Sequence, residues 1–174
     1  QVRRLADRAV DEAADALRPF GYYDPQVRSR TTRDGAAWIV RLRIKPGEPV
    51  LMREVDVSII GQGSKDPEIG LVLTGNQLRP GTRLDHPAYE KLKKDLARTA
   101  LERGYLDATL TRHELLVDPP EHVADIHLQL DTGGRYEFGK VTIEQDAIDP
   151  KLLQGFSRFT EGQPFSGERV RNTQ

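Results

Sequence analysis

The sequence predicts an α+β fold of tandem β-α-α-β-β modules, each a small three-stranded mixed sheet packed on two helices. One observation is an internal repeat: Gly21–Asp24 and Gly104–Asp107 both begin Gly-Tyr, end in Asp and lie 83 residues apart, and Asp66-Pro67 recurs at the same distance as Asp149-Pro150. The other is that one full interval shows alternating and helical periodicities in the order β-α-α-β-β. This period is too long for a solenoid repeat and indicates a small domain used in tandem.

Three copies are predicted, and only the middle one is complete. Residues 48–132 are the complete module. Residues 1–47 carry the carboxy-terminal part of a first module, a helix and two strands, and residues 133–174 carry a strand, a helix and the start of a second helix of a third. We expect the chain to be a piece of something longer. The two partial modules are complementary halves, so domain swapping between molecules stays open beside this simpler explanation.

The first module is predicted to begin inside a helix. Gln1–Leu17 places apolar side chains at helical spacing and charged ones opposite. A strand near Gln26–Thr32 follows. The next strand carries four apolar side chains on one face: Trp38, Val40, Leu42 and Ile44.

The complete module opens with a strand and two helices. Met52–Ile60 alternates between apolar and polar residues, as a half-buried strand does. Asp66 is a natural N-cap, with proline at the first helical position. A second helix is expected from Asp85, and Gly104 supplies its left-handed stop.

Two strands close the module, about Ala108–Val117 and His122–Leu130, the second with its alternate residues inward. Because connections avoid crossing, the last strand is expected between the other two, which leaves Ala108–Val117 as an edge. An edge exposes unpaired N–H and C=O groups and can accept a strand from a partner. An ordinary edge protected by its charges is the alternative. The candidate polypeptide-binding residues, on this strand and on the Gln26–Thr32 strand, are Thr109, Thr111, His113, Leu115, Val27, Ser29 and Thr31.

No group of residues predicts catalysis, a cofactor or a metal. The absence of cysteine excludes disulfides, thiol nucleophiles and cysteine zinc sites. The four histidines do not converge: His122 and His127 lie five apart on strands, hence on opposite faces, while His86 starts a helix and His113 is on another strand. The carboxylates are scattered outside apolar stretches. The sequence therefore predicts a protein that is not an enzyme.

Composition and charge argue against a nucleic-acid-binding protein and against a membrane-spanning segment. Lys and Arg number 26 against 27 Asp and Glu, so no net positive charge attracts nucleic acid. No apolar run is long enough for a membrane span. The amino terminus lacks the basic-then-apolar pattern of a signal peptide, so we expect that any signal peptide has already been removed. Two prolines in Lys45–Pro49 predict a fixed angle between the first and second modules. Two glycines in Asp131–Gly134 predict more freedom between the second and third modules.

Five stretches, taken in order, resemble POTRA domains, the polypeptide-transport-associated repeats ahead of outer-membrane β-barrels. They are Leu17–Tyr23, Pro46–Val50, Leu84–Lys93, Gly104–Asp107 and Gly134–Val141. Among POTRA proteins the set most resembles the outer-membrane subunits of translocation and assembly modules. The resemblance covers nearly the whole chain.

The resemblance implies a non-enzymatic role in the periplasm of a Gram-negative cell, as part of an outer-membrane protein. Such proteins help to insert or translocate outer-membrane and surface proteins. The implied partners are a long, inner-membrane-anchored periplasmic protein (TamB-like) and unfolded outer-membrane or autotransporter-type clients. Two alternatives stay open: a rigid spacer between barrel and periplasm, and a POTRA segment of another barrel transporter.

Overall fold

The computed structural model describes residues 2–140 and 160–167. Its α+β architecture confirms the predicted fold class. The helices and strands, in chain order, are α1 (Val2–Asp15), β1 (Gln26–Asp34), β2 (Ala37–Lys45), β3 (Leu51–Ile60), α2 (Pro67–Gly75), α3 (His86–Glu102), β4 (Thr109–Asp118) and β5 (Val123–Asp131). Short 3₁₀ turns occupy Arg18–Phe20 and Gln62–Lys65.

Part of the predicted third module lies outside the described residues. This holds for the helix expected near Asp149–Gln154 and for the end of the strand expected at Phe138–Ile143. Of the second helix expected there, only Gly167 is described. The module boundaries at 1–47, 48–132 and 133–174 stay predictions.

Both helices of the central region begin at the predicted aspartates. The Glu68 amide donates to Asp66 Oδ1 at 3.0 Å, and the Ala88 amide donates to Asp85 Oδ1 at 2.9 Å. These bonds satisfy amides that have no partner inside a helix. After α3, Gly104 adopts a left-handed conformation with φ 92°. The local sequence therefore sets where each helix begins and where α3 stops.

The three-stranded sheet has the order β3-β5-β4. The Leu51 amide donates to the His122 carbonyl at 2.9 Å, and the Thr132 amide donates to the Ile60 carbonyl at 3.1 Å. Because low-numbered ends meet low-numbered ends, β3 and β5 run parallel. The sheet is thus mixed, with the last strand in the centre and β4 at an edge, as predicted.

The central strand β5 supplies buried side chains on one face only. Its alternate residues are at most 1% exposed: Ala124, Ile126, Leu128 and Leu130. The residues between them are half-buried. This pattern confirms the predicted inward face.

The chain divides into two compact units. The first comprises the described part of Gln1–Asp56, together with Gln77–Lys91 and Glu114–His127. The second comprises Val57–Asn76, Leu92–His113 and the described part of Leu128–Gln174. The buried apolar side chains of the first unit are Ala6, Val50, Met52, Leu78, Leu84, Tyr89, Ala124 and Ile126. Those of the second are Ile69, Leu92, Leu96, Ala100, Tyr105, Leu128 and Leu130.

Strands β1 and β2 form a separate antiparallel hairpin, with Gln26 opposite Lys45 and Asp34 opposite Ala37. Helix α1 packs against it, chiefly along β1. The predicted apolar face of β2 remains substantially exposed: Trp38 53%, Val40 39%, Leu42 38% and Ile44 42%. One helix covers only part of a two-stranded ribbon, so this face is not a closed core among the described residues.

Candidate functional site

Strand β4 is the first candidate site. Within the described residues it pairs with β5 alone. Thr109, Thr111 and His113 are exposed on it, and Leu115 is half-buried. Among the described residues no strand pairs with β4 on the side away from β5, so this edge can accept an added strand.

A ladder of side-chain hydrogen bonds crosses one face of the sheet beside this edge. The Thr111 hydroxyl donates to Gln129 Oε1 at 3.0 Å, and the Gln129 side-chain amide donates to the Ser58 hydroxyl at 3.2 Å. Thr111 thus turns its side chain towards β5. The ladder holds the register of the edge without occupying its outer backbone groups.

Strand β1 is the second candidate site. In the part of the chain that the structure describes, it pairs only with β2. Val27 and Thr31 are half-buried on it, and Ser29 is exposed. Like β4, it is the first strand of an antiparallel hairpin, so β1 is the counterpart of the β4 edge and β2 the counterpart of the central strand.

The first Gly-Tyr turn is bound to the start of β3. The Val50 amide donates to the Gly21 carbonyl at 2.8 Å, and the Leu84 amide donates to the Val50 carbonyl at 2.9 Å. Gly21 has φ 82°, and a Cβ there would lie 2.9 Å from the Leu84 carbonyl oxygen. Glycine alone fits both the conformation and the close approach.

Side chains of this turn contact the residues around the start of α3. The Tyr23 hydroxyl lies 2.9 Å from His86 Nε2, and Arg83 both donates to the Tyr22 hydroxyl at 3.1 Å and lies over its ring at 5.3 Å. Burial lowers the pKa of His86 against the opposing effect of nearby carboxylates, and burial raises the pKa of Tyr23. Both shifts favour the neutral side chains, which can share this hydrogen bond.

The second Gly-Tyr turn makes the same bonds to the segment after β5. The Tyr136 amide donates to the Gly104 carbonyl at 2.8 Å, and the Phe165 amide donates to the Tyr136 carbonyl at 2.8 Å. A Cβ on Gly104 would lie 2.9 Å from the Phe165 carbonyl oxygen. The turn and the segment that follows it are therefore joined in the same way twice.

The equivalence continues beyond the turns. The Met52 amide donates to the Thr82 carbonyl at 2.8 Å, and the Phe138 amide donates to the Gln163 carbonyl at 2.8 Å. We call the two sets of bonds the first junction (Gly21, Val50, Leu84, Met52, Thr82) and the second junction (Gly104, Tyr136, Phe165, Phe138, Gln163). Sequence reasoning found the repeated glycines but not the carbonyls and amides that they join.

A buried carboxylate lies next to the second turn. The Asp66 side chain accepts hydrogen bonds from Arg103 Nε at 3.0 and 3.1 Å and from the Tyr105 hydroxyl at 3.3 Å, while it caps α2. Burial alone would raise the pKa of Asp66, but the hydrogen bonds from Arg103, Glu68 and Tyr105 outweigh it and hold that pKa below its usual value. Asp66 therefore stays ionised and ties the start of α2 to the end of α3.

The glycine-rich segment after β5 is extensively hydrogen-bonded. The Thr132 side chain is fully buried; its hydroxyl accepts from the Gly63 amide at 2.8 Å and donates to the Ile60 carbonyl at 3.0 Å. Gly133 donates to Asp131 Oδ1 at 2.9 Å and accepts from the Gln62 amide at 3.0 Å. These bonds hold the segment at both of its central residues, and the predicted difference in stiffness between the two linkers stays a prediction.

Two other kinds of site are absent from residues 2–140 and 160–167. No cluster of three or more histidine or acidic side chains there has the geometry to hold a metal ion. No helix in the same residues combines the length and the apolar character of a membrane span.

Residues 1–46 match the family model described as POTRA domain TamA domain 1. The solved structure of BamA POTRA3-5 from Haemophilus influenzae is 17% identical in sequence to this chain. The match covers 94% of this chain and 66% of that chain, with a TM-score of 0.51.

Two further solved structures match at lower TM-scores. The N-terminal domain of Omp85 from Thermosynechococcus elongatus is 13% identical over 94% of this chain and 68% of that chain, with a TM-score of 0.40. POTRA1-3 of Omp85 from Anabaena is 14% identical over 94% and 66%, with a TM-score of 0.33.

The match over residues 1–46 and the fold shared with the Haemophilus influenzae structure confirm the resemblance to POTRA domains stated above. The chain spans just under two thirds of that solved structure.

Proposed function

We propose that this chain is a non-enzymatic periplasmic binding and scaffold segment of an outer-membrane factor for β-barrel protein assembly and translocation. It binds polypeptides by adding their strand to an exposed sheet edge. The observation that carries the proposal is the β3-β5-β4 order, which leaves the outer side of β4 unpaired within the described residues. The POTRA fold supports the periplasmic location and the scaffold role.

Two kinds of polypeptide fit such an edge. One is a TamB-like, inner-membrane-anchored partner, and the other is an unfolded outer-membrane or autotransporter-type client. Both would offer extended segments whose main-chain groups pair with β4. Main-chain pairing is tolerant of sequence, which suits a factor that handles many clients.

The test is an amide NMR titration of the whole chain. The ligands are the carboxy-terminal segment of the TamB-like partner and an extended barrel-strand peptide. Strand addition predicts shifts and slowed amide exchange along Thr109–Asp118. Shifts confined to other elements would contradict binding at this edge.

N-methylated peptides provide the matched control. In an antiparallel pair, alternate residues of the ligand direct their N–H groups towards β4. Methylation of one alternate set should abolish the β4 shifts, and methylation of the other set should leave them. Equal loss with both sets would indicate side-chain binding instead of strand pairing.

A structural spacer is the second candidate function, and the repetition of the junctions favours it. Each junction joins a Gly-Tyr turn to the next segment through backbone hydrogen bonds of 2.8 to 2.9 Å. A spacer predicts no shifts with either ligand from a folded sample. It also predicts slow amide exchange at Val50 and Tyr136, whose amides bind the two turns.

Self-association through the partial modules is a third element of the proposal. The apolar face of β2 is partly exposed, so a second copy could cover it. Sedimentation equilibrium of the chain tests this: a concentration-dependent dimer supports it, and a monomer throughout the micromolar range contradicts it.

A further inference from the structure

Four arginines share one face of the β1-β2 hairpin. In the strand register Arg28 is opposite Arg43, and Arg30 is opposite Arg41. All four are exposed. Lys45 lies on the same face at one end. We call this the arginine face.

The other face of the same hairpin is mostly apolar. Side chains alternate along each strand, so the residues between the arginines point the opposite way. The cross-strand pairs on that side are Val27 with Ile44, Ser29 with Leu42, Thr31 with Val40 and Arg33 with Trp38. A two-stranded ribbon thus has one cationic and one apolar face.

The described residues give the four arginines no ion-pair partner. None of them takes part in a salt bridge or a side-chain hydrogen bond there. Like charges directly opposite one another destabilise a strand pair. The arginine face therefore has a cost in stability and no compensating contact in the described structure.

Charge is also unevenly distributed along the chain. Residues 1–47 carry ten Lys or Arg and six Asp or Glu, whereas residues 48–174 carry 16 and 21. Although the whole chain is nearly neutral, residues 1–47 are basic, and the arginine face contains five of their ten cations. An anionic ligand is thus attracted to this segment specifically.

We propose that the β1 edge selects an extended polypeptide in which apolar and acidic residues alternate. The inference rests on the strand addition proposed above and names the polypeptide that this edge prefers. A strand added beside β1 places successive side chains on opposite faces of the ribbon. One set then meets Val27 and Thr31, and the other meets Arg28 and Arg30.

Carboxylates suit the arginine set for a geometric reason. The planar guanidinium group binds a carboxylate through two parallel hydrogen bonds, which a lysine cannot do. Each such pair also relieves the repulsion between Arg28 and Arg43 or between Arg30 and Arg41. An anionic lipid surface would contact the arginine face and make no contact with the apolar face. Because an added strand contacts both faces, the ribbon favours a polypeptide strand over a lipid surface.

The probes are three peptides as long as β1, nine residues. One alternates valine with glutamate, the second alternates valine with lysine, and the third has the composition of the first with its glutamates contiguous. Fluorescence anisotropy measures their affinity for the whole chain. We expect the first to bind about tenfold more tightly than the second, and the preference to weaken at high salt.

Charge reversal gives the decisive variant. Arg28→Glu with Arg30→Glu should invert the preference, so that the valine-lysine peptide binds more tightly. Arg3→Glu with Arg4→Glu is the matched control, because it changes the net charge equally on exposed positions of α1. The control should keep the original preference. If the Arg28→Glu, Arg30→Glu chain fails to fold, Arg41→Gln with Arg43→Gln is the second variant. It should reduce the preference for the valine-glutamate peptide.

The outcomes separate this inference from the proposed function. Equal binding of both alternating peptides, with slowed exchange along β1, leaves strand addition intact and overturns the charge selection. Binding of neither at β1 overturns the inference, while shifts along β4 with the barrel-strand peptide would still support the proposed function. A general anion surface would give a different result: the alternating and contiguous glutamate peptides would bind equally. The chain would also co-sediment with phosphatidylglycerol vesicles, and the Arg28→Glu, Arg30→Glu chain would not.

Discussion

The Tyr23 hydroxyl and His86 Nε2 share a hydrogen bond of 2.9 Å, which ties the first Gly-Tyr turn to the opening of α3. The two residues are 63 positions apart in the chain. The bond requires an unprotonated nitrogen on His86 if the tyrosine is to donate. This makes the contact between the first Gly-Tyr turn and the start of α3 sensitive to pH.

Acidification should destabilise the chain through His86. Burial lowers the pKa of His86 in the folded state, so the unfolded chain binds the proton more readily. The stabilising contribution is complete above the unfolded pKa, about 6.5, and is lost as the pH falls below it towards the folded pKa. Urea unfolding between pH 5 and 7.5 measures this. The slope should be reduced in His86→Gln and kept in His113→Gln, which alters an exposed histidine; equal slopes in all three chains would contradict it.

Gly21→Ala should destabilise the fold more than Gly81→Ala. The two glycines have nearly the same φ, 82° and 81°, so a left-handed alanine costs about 1 kcal/mol at both. A Cβ at Gly21 also meets the Leu84 carbonyl oxygen at 2.9 Å, whereas nothing lies within 4 Å of one at Gly81. We expect an additional 1–3 kcal/mol or so at Gly21, measured by chemical denaturation. Equal losses would show that the first junction yields to the added methyl group.

Asp66→Ala should lower the free energy of unfolding by about 3 kcal/mol. It removes the partner of Arg103 and Tyr105 and the cap of α2 together. Glu12→Ala removes the exposed ion pair with Arg8 and should cost less than about 0.5 kcal/mol. A small effect at Asp66 would mean that Arg103 finds water or another carboxylate without strain.

Thr132→Val should cost about 1–3 kcal/mol although it preserves shape. The hydroxyl is buried, and its loss leaves the Gly63 amide without its acceptor. Thr111→Val is the matched control, because that hydroxyl is exposed. Thermal unfolding compares the two. Similar melting temperatures for both variants would argue that the Gly63 amide is readily rehydrated.

The helix starts, the strand order and the inward face of β5 could all be predicted from the sequence. Asp66 and Asp85 are strong local caps, and the alternation in β5 is uninterrupted, so each signal lies in neighbouring residues. The strand order followed from the avoidance of crossed connections. Neither the local signals nor the connection rule requires knowledge of which side chains meet in the folded chain.

The junctions and the arginine face could not be read in the same way. The bonds from Val50 to Gly21 and from Tyr136 to Gly104 involve only backbone atoms, which carry no residue signature. The arginines of β1 and β2 become a single face only once the register places Arg28 opposite Arg43. Gly133 and Gly134 predict a loose segment by composition, but Gln62 and Gly63, which are distant in sequence, donate hydrogen bonds to Gly133 and Thr132.

The central position of β5 also has a consequence for how the chain folds. Strands β3 and β4 do not pair with each other, and both pair with β5, the last strand of this sheet to emerge during synthesis. The parallel β3-β5 pair must close a loop of more than 60 residues, which slows folding relative to local hairpin formation. We therefore expect the sheet to form in one late, cooperative step after residue 131 has emerged, with no stable half-sheet before it.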